Sequence, residues 1–267
     1  MRHIKEVSIM RIIVIAAILL AAAGNFVSAQ VRTEDVRVRP PESWPKREVY
    51  GLDITLGGSY LRGNVENSGI SGGLDFNTTI SRRHQIFIQA SKDYAEFNDL
   101  VLVDKDKASL LYAYKIRERW NIFVNTTHAH NEAIKLKYRT TNGGGVCYHS
   151  FLSGLLDPVL LSAAIMPEYE TFKDGVTHTP TRGNFRLNFG YPVTSHFAAG
   201  ADLMYMPRLT RFADYRMYGE AYFKFKITDN TLDFKMTVTD EYESRPRPGV
   251  KFNDLITGFA LVVKLGK

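Results

Sequence analysis

From Tyr50 onward the chain alternates between apolar and polar positions. In 50–61, Leu52, Ile54, Leu56 and Tyr60 share one parity, and Asp53, Thr55 and Ser59 take the other. In 217–227, Met217, Gly219, Ala221, Phe223, Phe225 and Ile227 oppose Tyr218, Glu220, Tyr222, Lys224 and Lys226. Successive side chains of a strand point to opposite faces, so this pattern predicts sheet with one apolar and one charged side. Comparable runs recur near 74–80, 85–95, 107–117, 119–131, 136–150, 158–172, 184–193, 196–207, 212–227, 231–243 and 253–265. No segment carries a helical period. The expectation is therefore all-β, with about twelve strands near the roughly ten residues that cross a bilayer.

Alternation does not say which side meets water. In a soluble β-protein the apolar side is the interior; in an outer-membrane barrel it faces lipid and the charged side lines the lumen. The connections favour the membrane. SRRH, RERW, VTSH and TDN read as tight polar turns, and EFNDLVLVDKDK, KDGVTHTPTRG and SRPRPGVKFND as longer loops. Transmembrane barrels sort their connections in this way, short on the periplasmic side and longer outside. Two connections run against the sorting: RGNVENS is short, and SFLSGLLDP is long for a periplasmic turn. Tyr94, Tyr112, Tyr114, Trp120, Phe185, Phe189, Tyr191, Phe197, Tyr205 and Tyr215 fall mainly on the apolar parity, often near strand ends, as interfacial girdles do. The predicted fold is an antiparallel up-and-down transmembrane β-barrel. Phe223 is expected on lipid at mid-strand, where an arginine should be costly, and one at Tyr222 milder.

The start of the chain agrees. Arg2, Lys5 and Arg11 flank and precede IIVIAAILLAAAG, and Val27-Ser28-Ala29 stands before Gln30. That is the layout of a secretory signal peptide, with cleavage expected after Ala29. The expected organisation is a signal peptide over 1–29, a charged proline-broken periplasmic arm over 30–49, and the barrel over 50–267. Lys and Arg number 34 against 28 Asp and Glu, an excess too mild for a nucleic-acid binder. Cys147 is the only cysteine, which excludes an internal disulfide and a thiolate metal cluster, and it is expected to be buried.

Gly63-Asn64, RERWNIF from Arg117 to Phe123, KYRTTNGGGVCY from Lys137 to Tyr148, and RPRPGVKFND from Arg245 to Asp254 resemble motifs of the bacterial salt-induced outer-membrane protein family. This resemblance covers roughly Tyr50 to Leu265. It implies an outer-membrane β-barrel of unknown function, without catalytic residues to carry over. One departure is the end of the chain, Leu265-Gly266-Lys267, where such barrels usually finish on an aromatic.

Parity nominates the lumen lining: Asp53, Asp75, Glu168, Glu170, Asp202, Glu220 and Asp233 against Arg139, Arg186, Arg216, Lys224, Lys226 and Lys235. The signs nearly cancel, which suits paired charges across a narrow barrel better than a charge-selective ring. His128, His130 and Glu132 alternate in HAHNE and could hold a metal, although a polar rim explains them more simply. His149-Ser150 and Ser195-His196 are adjacent, and adjacent strand residues face opposite ways, so neither pair is expected to act together. Gly143 to Gly145 are expected to permit curvature or close approach in the wall, and Pro167 and Pro192 to mark bulges or strand ends.

The function expected is non-enzymatic, either structural or a narrow small-solute pore, with no cofactor. Outer-membrane lipid and the assembly machinery that inserts barrels are the expected partners, and nucleic acid is not. A lipid-acting barrel enzyme and a soluble periplasmic β-protein with an apolar ligand are the competing readings.

Overall fold

The alternating runs become the strands β1 Tyr50–Leu61, β2 Asn67–Ser81, β3 His84–Phe97, β4 Leu100–Lys115, β5 Trp120–Asn131, β6 Leu136–Leu152 and β7 Leu156–Phe172. They continue as β8 Thr177–His178, β9 Thr181–Pro192, β10 Phe197–Arg208, β11 Arg211–Thr228, β12 Leu232–Glu243 and β13 Asn253–Gly266. The structure is a computed structural model and describes residues 50–61, 67–97, 100–132, 134–152, 156–228 and 231–266. The leader, the arm and Gly63-Asn64 lie outside these residues. Sequential strands pair antiparallel from β1 to β8 and from β9 to β13, β9 pairs with β7, and β13 returns to β1. The sheet closes into a barrel of twelve long strands, and β8 is a two-residue appendage on the end of β7. Among the described residues, closure leaves the twelve long strands without an unpaired edge strand, the condition for sheet to cross a membrane.

Two connections differ from expectation. EFNDLVLVDKDK is not a loop: β3 runs to Phe97 and β4 starts at Leu100. Its charged stretch lies on the ladder, where Lys92 of β3 ion-pairs with Asp104 and, at 2.9 Å, with Asp106. Likewise SFLSGLLDP is mostly strand, and only 153–155 separates β6 from β7. The long connections are 173–180 and 244–252, both at one end of the barrel, here called the loop end; the turns 82–83, 116–119 and 193–196 mark the other.

Pro192 ends β9. At Pro167 the ladder between β6 and β7 skips from Thr141↔Glu168 to Gly144↔Ile165, as expected where a residue has no N–H to give. The glycines of β6 meet close neighbours. A Cβ on Gly143 would fall on the Met166 sulfur, and one on Gly145 would fall on the Ala163 carbonyl and 2.6 Å from Ala164 Cβ. Gly145→Val is therefore expected to cost about 1–3 kcal/mol through overpacking. Urea unfolding of the refolded barrel measures it.

The barrel is inside-out relative to a soluble protein. Leu56, Ile70, Val124 and Ile165 are 65%, 71%, 57% and 58% exposed, whereas Asp202 and Glu220 are 1% and 4% exposed. Aromatic side chains form two belts on the outer surface. Near the loop end, Phe185, Tyr205, Tyr215, Tyr242 and Phe252 contact one another in sequence around the wall. Near the turn end, Phe197, Phe225, Phe234 and Phe259 do the same. On β11 the belts are ten residues apart, from Tyr215 to Phe225. At about 3.3 Å per residue and a tilt of about 40°, that is about 25 Å along the barrel axis, the height of an outer-membrane apolar band.

Candidate functional site

The interior divides into three zones. Inward residues of β3 to β7 supply an apolar cluster of Leu111, Ala113, Phe123, Cys147, Leu160, Ala164 and Met166, with Phe87 against it. Cys147 is fully buried and free. The sequence reading assigned this side to charges and missed the cluster. Its signal was present in Leu110-Leu111 and Val146-Cys147, where both parities are apolar.

Towards the loop end, β6, β7, β9, β11 and β12 bring arginines and carboxylates into one network. Arg139 donates from Nε to Glu170 Oε1 at 2.6 Å. Arg216 reaches Glu170 at 2.8 Å, Glu168 at 3.2 Å and Glu243 at 3.3 Å. Its partners Glu168 and Glu170 sit on β7, three strands away, so these contacts cut across one side of the lumen. Arg182 joins Glu168 at 3.3 Å and Asp214 at 3.0 Å. Nearby, Arg186 Nε donates to Asp202 Oδ1 at 2.8 Å.

The third zone is open. Asp53, Asp75 and Asp93 on β1 to β3 and Lys224, Lys235 and Lys264 on β11 to β13 line a cavity of about 490 Å³, with Asp53 directly opposite Lys264 on the adjoining strand. Small inward residues, Ser71, Gly73, Ser91 and Gly258, leave this side unfilled. Lys264 holds Asp233 at 2.5 Å, Lys235 holds Glu220 at 3.2 Å, and Gln89 donates to Asp75 at 2.5 Å. Tyr218 donates to the other oxygen of Glu220 at 2.7 Å. Lys224 is half-buried, and Lys226 is exposed at the turn end of β11. Tyr222 does not meet the expectation of a tolerant lumenal position. It is buried, a Cβ on Gly200 would fall on its ring, and Lys235 lies 5.5 Å above that ring.

The loop 244–252 crosses the mouth. Val250 packs on Ile134, Leu136 and Phe172. Arg247 lies 4.0 Å over the Phe172 ring and ion-pairs with Asp174 in the loop after β7. The turn Arg247-Pro248-Gly249-Val250 is closed by Val250 N donating to Arg247 O at 2.9 Å. Gly249 takes φ 82°, which a residue with a side chain rarely adopts and glycine adopts freely. Beneath the loop lies a second cavity of about 300 Å³ among Arg139, Glu170, Arg182 and Arg216.

On the outer surface the structure regroups the HAHNE residues. His128 hydrogen-bonds Thr140 Oγ1 through Nδ1 at 2.9 Å, and Glu132 pairs with Lys173 at 2.5 Å. Asp104 and Asp106 of β4 come to His130 instead. Both were hidden by the expectation of a loop there; the alternating DKDK was the available signal. Ser195 and His196 are a correction. They sit in a turn rather than a strand, so alternation does not separate them, and Ser195 Oγ lies 2.8 Å from His196 Nδ1. A hydrolytic triad needs the serine on Nε2 and an acid on Nδ1, so this contact has the wrong nitrogen. His149 is buried in the interior beside Asn121, at 3.0 Å.

No curated protein matches the chain. The profile of a family described as "Protein of unknown function, DUF481" matches residues 54–265. Among solved structures, the chain is similar to the NanC porin, at TM-score 0.50 and 11% identity over 79% of this chain and 98% of that one. It is also similar to the COG4313 outer membrane channel from Pseudomonas putida F1, at TM-score 0.51 and 7% identity over 88% and 100%. These likenesses are of fold: a closed antiparallel barrel.

Proposed function

We propose that this chain, which belongs to the DUF481 family, stands in the outer membrane and passes small hydrophilic solutes through the open third of its lumen. The sidedness carries the reading: large apolar side chains point outward between two aromatic belts, and ionised groups point inward. Lipid is then the surrounding partner, and insertion falls to the barrel-assembly machinery. Among the described residues, no arrangement of side chains favours an enzyme. Asp53, Asp75, Lys224, Lys235 and Asp233 line the path, while Arg139, Glu168, Glu170, Arg186, Asp202 and Arg216 stand in ion pairs beside it.

Because the path is lined by both signs, the purified protein in planar bilayers should give small currents with weak ion selectivity. It should also fractionate with outer membrane and run faster on a gel unheated than boiled. Recovery in the soluble periplasmic fraction would overturn the membrane reading. Absence of current from inserted barrels would leave a structural wall.

Loop 244–252 is the expected limit on flow. Arg247→Ala removes both the ring contact and the Asp174 pair, and should raise single-channel conductance at neutral pH. Hydrogen bonds from Arg247 and from the Val176 N–H hold the Asp174 carboxyl below its usual range. A depressed carboxyl stabilises the clasp above its unfolded value of about 3.9 and loses it only as pH falls through the lower folded value. Conductance through the wild-type mouth should thus be flat from neutral pH down to about pH 5 and rise only in stronger acid. A step near neutrality would count against the clasp.

A further inference from the structure

We propose that Asp104, Asp106 and His130, with Glu132 beside them, form a site for a divalent transition-metal ion on the outer surface at the loop end of β4 and β5. The ladder builds it. Asp106 stands directly opposite His130, and Asp104 lies two residues along the same face. Beyond the strand, Glu132 N donates to Asp104 O at 2.9 Å, which fixes the turn that carries Glu132. One ligand atom from each of Asp104, Asp106 and His130 lies within 4.8 Å of the others. Bonds of about 2.0–2.2 Å to zinc need these partly exposed side chains to close in by about 1 Å.

The imidazole supplies an independent observation. His130 Nδ1 lies 3.0 Å from the Lys137 carbonyl oxygen. A carbonyl only accepts, so Nδ1 carries the proton and the neutral ring has its lone pair on Nε2. That nitrogen faces Glu132, whose Oε2 lies 3.9 Å away. A backbone carbonyl on one nitrogen, with the other turned towards a carboxylate, is the arrangement that orients metal-ligating histidines.

Lys92 marks the place of the cation. Its ammonium bridges both aspartates, at 2.9 Å from Asp106, and its side chain is half-exposed. A plain ion pair explains the lysine and the aspartates, but not the histidine anchored beside them. Metal binding here is an exchange of one cation for another: the ion enters and the flexible ammonium swings to water. One imidazole nitrogen with carboxylate oxygens, and no thiolate, favours Zn²⁺ or Co²⁺ over Mg²⁺ and Ca²⁺.

The test is calorimetric titration of Zn²⁺ into the refolded, chelator-washed barrel, with heat-modifiable migration as the control for folding. The expected result is one saturable site that excess Mg²⁺ does not displace, and a visible absorption band when Co²⁺ replaces Zn²⁺. His130→Gln should weaken Zn²⁺ about tenfold or more. Lys92→Met should tighten it, because the resident competitor is gone, and His128→Gln should leave it unchanged. Absence of a saturable site in the folded wild type overturns the proposal. So does equal affinity in wild type and a folded His130→Gln, or weaker binding in a folded Lys92→Met.

Discussion

Arg216→Ala is expected to cost the folded barrel about 3–5 kcal/mol, the range for removing one partner from a buried ion pair. Arg216 is the cation that ties β11 to both β7 and β12, through Glu170, Glu168 and Glu243. Alanine leaves three carboxylates around a gap. Arg139 still offsets Glu170, and Arg182 still offsets Glu168, so the loss falls short of three separate pairs. Glu170→Ala in the Arg216→Ala background should therefore cost less than Glu170→Ala alone, since like charges have already been left unbalanced. Urea unfolding of the heat-modifiable form, refolded in lipid vesicles, gives all of these differences. A cost below about 1 kcal/mol for Arg216→Ala would mean that water screens the network, as it does for surface pairs. The lumen would then be wet across its full width, and conductance should be large.

Most of the barrel could be read from the sequence because its outer face must be apolar wherever it meets lipid, and a period of two exposes that requirement directly. β5 shows it most plainly, with buried and outward side chains alternating without a break from Trp120 to Asn131. The pattern failed where a strand leaves the apolar band. Beyond it the outward face no longer has to be apolar and charges stand on both parities, so 100–107 reads as a loop although it continues β4. The same failure concealed Asp104 and Asp106.

The inward side was harder to read. Parity identifies which charges face in, yet a barrel wall offers each of them neighbours on two adjoining strands and across the bore. Arg216 and Glu168 are 48 residues apart and three strands away, a contact that depends on closure and shear rather than on any local signal. The apolar filling around Leu111 and Leu160 was obscured for a related reason. A strand that is apolar on both faces loses the period that distinguishes them.

Depth decides the second large effect. Ala221→Arg is expected to cost about 2–4 kcal/mol in a bilayer, the value for a cation on lipid at the midplane. Phe223, the position that alternation alone suggested, is not at mid-depth: it stacks with Phe197 at the turn-end belt, with centroids 6.2 Å apart. Arginine there should lose about 0.5–1.5 kcal/mol of ring contact and little more, because its head can reach the interface. Midway between Tyr215 and Phe225, Ala221 pairs with Ala201 on one side and Val238 on the other, with no polar group outward to receive a charge. Tyr222→Arg is a third case. It faces in, removes a ring seated against Gly200, and brings a second cation to Lys235, so it should also destabilise, for reasons unrelated to lipid. Unfolding in vesicles of shorter and longer acyl chains separates the three. The Ala221→Arg penalty should grow with bilayer thickness, since a thicker core lengthens the path to water, while the Tyr222→Arg penalty should not change. If Ala221→Arg is tolerated equally in both, the outward face of β11 is not against lipid, and the barrel is oriented some other way.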